Sequence, residues 1–192
     1  EECYLAAIAA LHESEGSICR GSCILRRPDV ASIVSDALCH GRDERHLLHA
    51  WCVMPNHVHA LLTPLGNMTL SVLLKSIKGF SARKINGLIG GDGSLWERES
   101  LDHVVRTPDH FDWFMHYIEQ NPVAAGLCAS AEHWQFSSAH PGHKRDVLCD
   151  WIDPRKTPFV HMSGRGELPH LYKDLATYFV TFRLLDAVQM RR

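Results

Sequence analysis

Nowhere in the 192 residues is there an apolar run long enough to span a bilayer, and no segment has the pattern of a secretory signal. We therefore expect a cytoplasmic protein with no membrane partner. Internal repeats and low-complexity tracts are also missing. None of the seven cysteines forms a Cys-x-x-Cys pair. The nearest two, Cys19 and Cys23, are separated by the loop-like Arg20-Gly21-Ser22. A zinc pair there is the alternative, but reduced thiols in a reducing cytosol suit an odd, scattered set better. A basic surplus is missing too, since 20 Lys and Arg against 22 Asp and Glu leave a net charge of −2. That balance argues mildly against a nucleic-acid binder, although the local distribution of charge matters more than its sum. Lys75, Lys78, Arg83 and Lys84 cluster on one helical stretch, and Arg165, His170, Lys173 and Arg183 flank a strand-like one. Each cluster is a solvated face or an anion contact, and the 14 histidines add positive charge below neutral pH.

What is present suits one domain with an adequate core. Apolar content of 45% and charged content of 22% are both ordinary. The most informative stretch is WCVMPNHVHALLTP, residues 51–64. After Asn56 it alternates apolar and polar and then runs apolar, which reads as a strand. Residues i and i+2 of a strand share a face, so His57 and His59 project side by side. Two neutral imidazoles on a rigid sheet make a two-point metal platform. The plainer alternative is two histidines that merely fall on alternate residues.

A second stretch, FDWFMHYIEQNPVAAGL over 111–127, reads as a helix. Thr107 or Asp109 caps its start, with Pro108 in the first turn. Phe111, Phe114, Met115 and Ile118 recur at helical spacing and mark the buried face. Pro122 predicts an end near Asn121, because a residue before proline disfavours the helical region. Tyr117 and Asn121 lie four apart and share a face, with His116 and Gln120 as the neighbouring stripe. A phenol and an amide facing a metal on a sheet suit nucleophilic attack on a phosphodiester. The plain alternative for Tyr117 is a half-buried tyrosine with its hydroxyl at the surface.

Four blocks together carry a family resemblance: residues 51–64, LSVLLKSIKGFSARKIN (70–86), GSLWERESLDHVVRTPDHF (93–111), and YIEQNPVAAGL with the later HWQFSSA. Their order and spacing resemble the REP-associated tyrosine transposases, of the single-tyrosine HUH transposase family, almost continuously from about 50 to 140. The resemblance implies His57 and His59 as ligands of a divalent metal, Mg²⁺ or Mn²⁺. It implies Tyr117 as the nucleophile and Asn121 as the third ligand. The chemistry implied is cleavage of single-stranded DNA, giving a 5′-phosphotyrosine and a free 3′-OH, with religation as the reverse. The implied partners are hairpins of repetitive extragenic (REP-like) DNA, and the implied location is the cytoplasm, in association with the nucleoid. A monomer is expected, with the dimer of related transposases as the alternative.

The stretch MSGRGELPHLYKDLATYFVTFRLLDA, residues 162–187, resembles the amino-terminal arm and first strand of the same family. Joining Arg192 to Glu1 yields one helix-like run, DAVQMRREECYLAAIAALHESEG. The chain therefore reads as a circular permutation of the family order, either engineered or an effect of how the residues are ordered. The join near His161 and Met162 is then expected to be exposed or mobile. Arg165, His170 and Lys173 in the arm are expected to contact DNA. Arg165 can read a guanine edge, while Lys75, Lys78 and Lys84 are expected to contact phosphates.

The coarse elements are helices from Pro28 through Leu38, Thr69–Ile89 and Asp109–Asn121, and strands Arg45–Met54, His57–Thr63, Leu101–Arg106 and Tyr178–Leu184; residues 141–161 read as irregular. Rejoined, they predict an α+β fold over 1–192, a ferredoxin-like split β-α-β antiparallel sheet with helices on one face. Three functions remain open. These are an HUH endonuclease and transposase, a non-transposing DNA-hairpin binder of the same fold, and a metal-dependent nuclease that uses water. Retention of His57, His59, Tyr117 and Asn121 together favours the first.

Overall fold

The computed structural model describes residues 22–143, 159–163, 170–173 and 175–185, with the backbone alone for 159–163 and 170–173. The helices are α1 (Pro28–Cys39), α2 (Leu70–Ile89) and α3 (Pro108–Ala124). The strands are β1 (His46–Val53), β2 (His57–Pro64), β3 (Leu101–Val104), β4 (Phe159–Ser163), β5 (His170–Lys173) and β6 (Tyr178–Arg183).

Four strands form one antiparallel sheet in the order β1-β2-β6-β3. Strand β6 therefore sits beside the histidine strand, with His57 opposite Arg183 and His59 opposite Thr181. Burial on both faces explains the placement, since Tyr178 through Phe182 are all buried and an unpaired strand would leave them and its backbone edge exposed. Counted with β6 first, the spatial order is the 2-3-1-4 arrangement of the ferredoxin-like pattern.

The two faces of this sheet bury separate cores. Leu48, Trp51, Val58, Ala60, Leu62, Tyr178, Val180 and Phe182 meet α1 and α2. Ala50, Cys52, Leu61 and Phe179 meet α3 through Phe111, Phe114 and Ile118. Two helices thus share a face as expected, but the tyrosine helix lies on the other. The alternation of β2 requires this, because His57, His59 and Leu61 point away from Val58, Ala60 and Leu62.

Local signals set the ends of the elements. The Thr69 side chain accepts from the Val72 N–H at the start of α2, and Gly90, with φ 69°, closes it in the left-handed region. Thr107 caps α3 by accepting from the His110 N–H at 3.2 Å. Pro122 does not end that helix, which runs on to Ala124. Proline's fixed φ is itself helical, and what it removes is one N–H; the Ala125 N–H still bonds to the Asn121 carbonyl at 2.9 Å.

Residues 141–161 are not irregular throughout. Phe159–Ser163 pairs with His170–Lys173 as a separate two-stranded sheet, so the expected join at His161 and Met162 lies inside a strand. The expected meeting of Arg192 with Glu1 lies outside the described residues. Among the described residues, no helix is long and apolar enough to cross a membrane.

Candidate active site

The tyrosine helix faces the histidine strand across a cleft of about 360 Å³. His57, His59, Tyr117 and Asn121 all line it, together with Asn56, Trp113, His116 and Gln120. Period two on β2 and period four on α3 bring these four side chains to one place. Neither Asp nor Glu lines the cleft among the described residues.

The imidazoles converge. His57 Nε2 lies 3.0 Å from His59 Nε2. The far nitrogen of each ring is anchored. His57 Nδ1–H donates to Asn56 Oδ1 at 2.7 Å, and His59 Nδ1 shares a hydrogen with Thr181 Oγ1 at 2.8 Å. Such outer partners orient metal-binding histidines and select the nitrogen they present. The donors fit a divalent cation. Two ligands at right angles, each roughly 2.1 Å from an ion, stand about 3.0 Å apart. Asn121 would offer a third, neutral oxygen. No group of three His, Cys, Asp or Glu side chains suited to a metal occurs among the described residues. A cation held here would thus keep most of its charge for an anionic substrate.

Tyr117 is half-buried and bounded by three rings. Trp113 lies parallel to it, with centroids 5.2 Å apart. His59 and Phe179 meet it edge-on at 5.6 Å and 5.9 Å. The helix is tied to the sheet from behind: the Ser138 hydroxyl donates to Glu119 Oε1 at 3.0 Å and accepts from the Trp51 N–H at 3.1 Å. Around it, 134–138 runs along the edge of β1. The Val53 N–H donates to the Phe136 carbonyl and the Trp134 Nε1–H to the Val53 carbonyl.

Other predicted residues lie elsewhere. Lys75, Lys78 and Lys84 are on α2, across the sheet from Tyr117. Lys78 is half-buried, which lowers its pKa, and its ammonium donates to the Arg98 carbonyl and Ser100 Oγ, both at 3.1 Å. It is thus engaged within the protein, whereas Lys75 and Lys84 are exposed. Arg165 lies outside the described residues. His170 and Lys173 are in β5, whose side chains are not described. Tyr178 is buried on the far face, so it does not compete with Tyr117. Asn56 and Thr181 were missed in the sequence. Asn56 precedes the H-x-H pair directly, which is a usable signal, but Thr181 is 122 residues from His59 and only strand pairing reveals it.

Comparison with known proteins agrees with this architecture. Residues 29–121 match the family described as Transposase IS200 like. A REP-associated tyrosine transposase of Escherichia coli (strain K12) is 28% identical over 112 residues, covering 57% of this chain and 65% of the relative. A putative REP-associated tyrosine transposase of Haemophilus influenzae is 24% identical over 113 residues, covering 53% and 64%. The chain thus spans just under two-thirds of the length of the curated relatives it matches. A solved structure of a REP-associated tyrosine transposase bound to a REP hairpin shares the fold. Its TM-score is 0.51 at 22% identity, over 70% of this chain and 81% of that one.

Proposed function

From its kinship with the IS200-like transposases, matched over residues 29–121, we propose that this protein cleaves and rejoins single-stranded DNA beside hairpins, with Tyr117 as nucleophile. The observation that carries this reading is the shared cleft of Tyr117, His57, His59 and Asn121. The phenol oxygen of Tyr117 attacks the phosphorus of a phosphodiester. The new Tyr–O–P bond forms as the bond from phosphorus to the 3′ oxygen breaks. The phenol loses its proton and the departing oxygen gains one, leaving a 5′-phosphotyrosine and a free 3′-OH. Religation is the reverse step. The stacked Trp113 ring and the edges of His59 and Phe179 hold the phenol on line, which lowers the entropic part of the barrier.

His57, His59 and Asn121 would hold Mg²⁺ or Mn²⁺, which when bound polarises a non-bridging phosphate oxygen. Nitrogen donors favour Mn²⁺, while phosphate and water oxygens favour Mg²⁺. The partner follows from the relative solved with a REP hairpin, and the arm bearing Arg165, His170 and Lys173 would supply contacts to it. Lys75 and Lys84 would add phosphate contacts from the far face. Cytoplasmic, nucleoid-associated action by a monomer belongs to the same reading.

The test is a denaturing gel with end-labelled single-stranded DNA carrying a REP-type hairpin. A covalent band in the parent protein that disappears in Tyr117→Phe is the expected result. Cleavage without a band would favour water as the nucleophile, and binding without cleavage would favour a hairpin-binding role.

A further inference from the structure

His59 Nδ1 and Thr181 Oγ1 are 2.8 Å apart, and both side chains are buried. Thr181 lies on β6, directly opposite His59 in the sheet and outside the stretch 29–121 that matches the family. Asn56 anchors the other ring, but the two anchors differ in kind. The amide oxygen of Asn56 can only accept, so it keeps His57 protonated on Nδ1 with a lone pair on Nε2. A hydroxyl can donate or accept.

That difference matters because the two Nε2 atoms face each other at 3.0 Å. With no cation between them, two lone pairs at that distance repel. A hydrogen bond there needs a proton on His59 Nε2, which in turn leaves Nδ1 as an acceptor. The Thr181 hydroxyl must then donate to it. With a cation bound, both Nε2 lone pairs are ligands, so the His59 proton sits on Nδ1 and Thr181 must accept. Both arrangements keep each ring neutral.

We propose that Thr181 is the positioning residue of His59, its hydroxyl reversing from donor to acceptor as His59 changes tautomer on binding a divalent cation. The inference rests on the metal role given above to His57 and His59. Among common side chains, Ser would keep this reversal. Val keeps the shape of Thr but supplies neither bond.

The test uses the full chain and two readouts besides cleavage. Mn²⁺ affinity is measured by electron paramagnetic resonance for the parent, Thr181→Val, Thr181→Ser and the His57→Ala/His59→Ala double variant. Thr181→Val should weaken binding by roughly 10- to 100-fold, the usual cost of losing such a partner. Thr181→Ser should recover most of it. Nitrogen-15 spectra of labelled histidine, with and without Mg²⁺, report the tautomer of His59. We expect the proton on Nε2 without the ion and on Nδ1 with it. Parent-like Mn²⁺ affinity in Thr181→Val, or one unchanged tautomer in both spectra, would overturn the proposal while leaving the metal role intact. Undiminished Mn²⁺ binding by the double histidine variant would instead remove the metal role, and this inference with it.

Discussion

The ring of Trp113 stacks on that of Tyr117, with 9° between their planes and 5.2 Å between centroids. The two residues are one helical turn apart on α3, so the proposed nucleophile carries its own support. Such a pair contributes about 0.5–1.5 kcal/mol beyond the area it buries. Trp113 also lines the cleft, where a flat ring is a platform for a nucleobase. Trp113→Ala should therefore lower the melting temperature slightly, but slow adduct formation and weaken single-stranded DNA binding much more. Trp113→Phe should restore most of both. Unchanged adduct kinetics in the alanine variant would reduce the stacking to core packing.

Phe179 bears more of the site than its place in the sequence suggests. Its ring stacks on Phe114 at 4.5 Å and on His59 at 5.6 Å, and meets Tyr117 edge-on. It is thus the floor shared by the nucleophile and one imidazole. Phe179→Ala should cost about 3–5 kcal/mol, as for other buried aromatic truncations, and should depress cleavage even below the melting transition. Phe179→Leu fills more of the volume and should recover most stability but less activity. Chemical denaturation alongside single-turnover cleavage separates the two effects; equal recovery of both would mean the ring only fills space.

The parts of the site written in local periodicity were legible in the sequence. Period two puts His57 beside His59 and period four puts Tyr117 beside Asn121, while the roles of Tyr117 and Asn121 came only with the family resemblance. Contacts between distant segments were not. Nothing local ties Thr181 to His59, or Phe179 to Phe114, until β6 is paired with β2. The side of the sheet taken by α3 was also hidden, because β1 and β2 are buried on both faces and each presents enough apolar surface for helices. Pro122 misled for a different reason: its penalty is one lost hydrogen bond, which a helix near its end tolerates.

The lysines of α2 should divide by their present partners. Lys75 and Lys84 are exposed, whereas Lys78 is bonded to Arg98 and Ser100. If α2 contacts DNA phosphates, Lys75→Ala and Lys84→Ala should each reduce the slope of log affinity against log salt by about 1, without altering target preference. Lys78→Ala should loosen the 98–100 segment against α2 and lower stability, with a smaller change in slope. Binding isotherms over a salt series, paired with thermal melts, measure both. Equal slope changes at all three positions would contradict the division.

Acid should destabilise the fold through His46 before it affects most carboxylates. This imidazole is fully buried at the start of β1, and its Nε2–H donates to the Leu38 carbonyl at 2.9 Å. Its Nδ1 is also buried, with no hydrogen-bond partner. Adding a proton there would create a buried cation and an unpaired donor. Burial accordingly lowers the pKa of His46 below its ordinary 6.5; Arg45 and Arg42 push the same way, and the bond to Leu38 and the charge of Asp43 oppose them. The folded state therefore binds fewer protons at this site than the unfolded chain. Stability should rise with pH through this window and fall as pH drops below about 6.5. His103, also lowered by burial, adds to the slope with the same sign. His46→Phe should be less stable than the parent at about pH 8, having lost the bond to Leu38, yet should lose less on acidification to about pH 5.5. Urea unfolding of both proteins across that range is the measurement, and parallel curves would show that the acid sensitivity arises elsewhere.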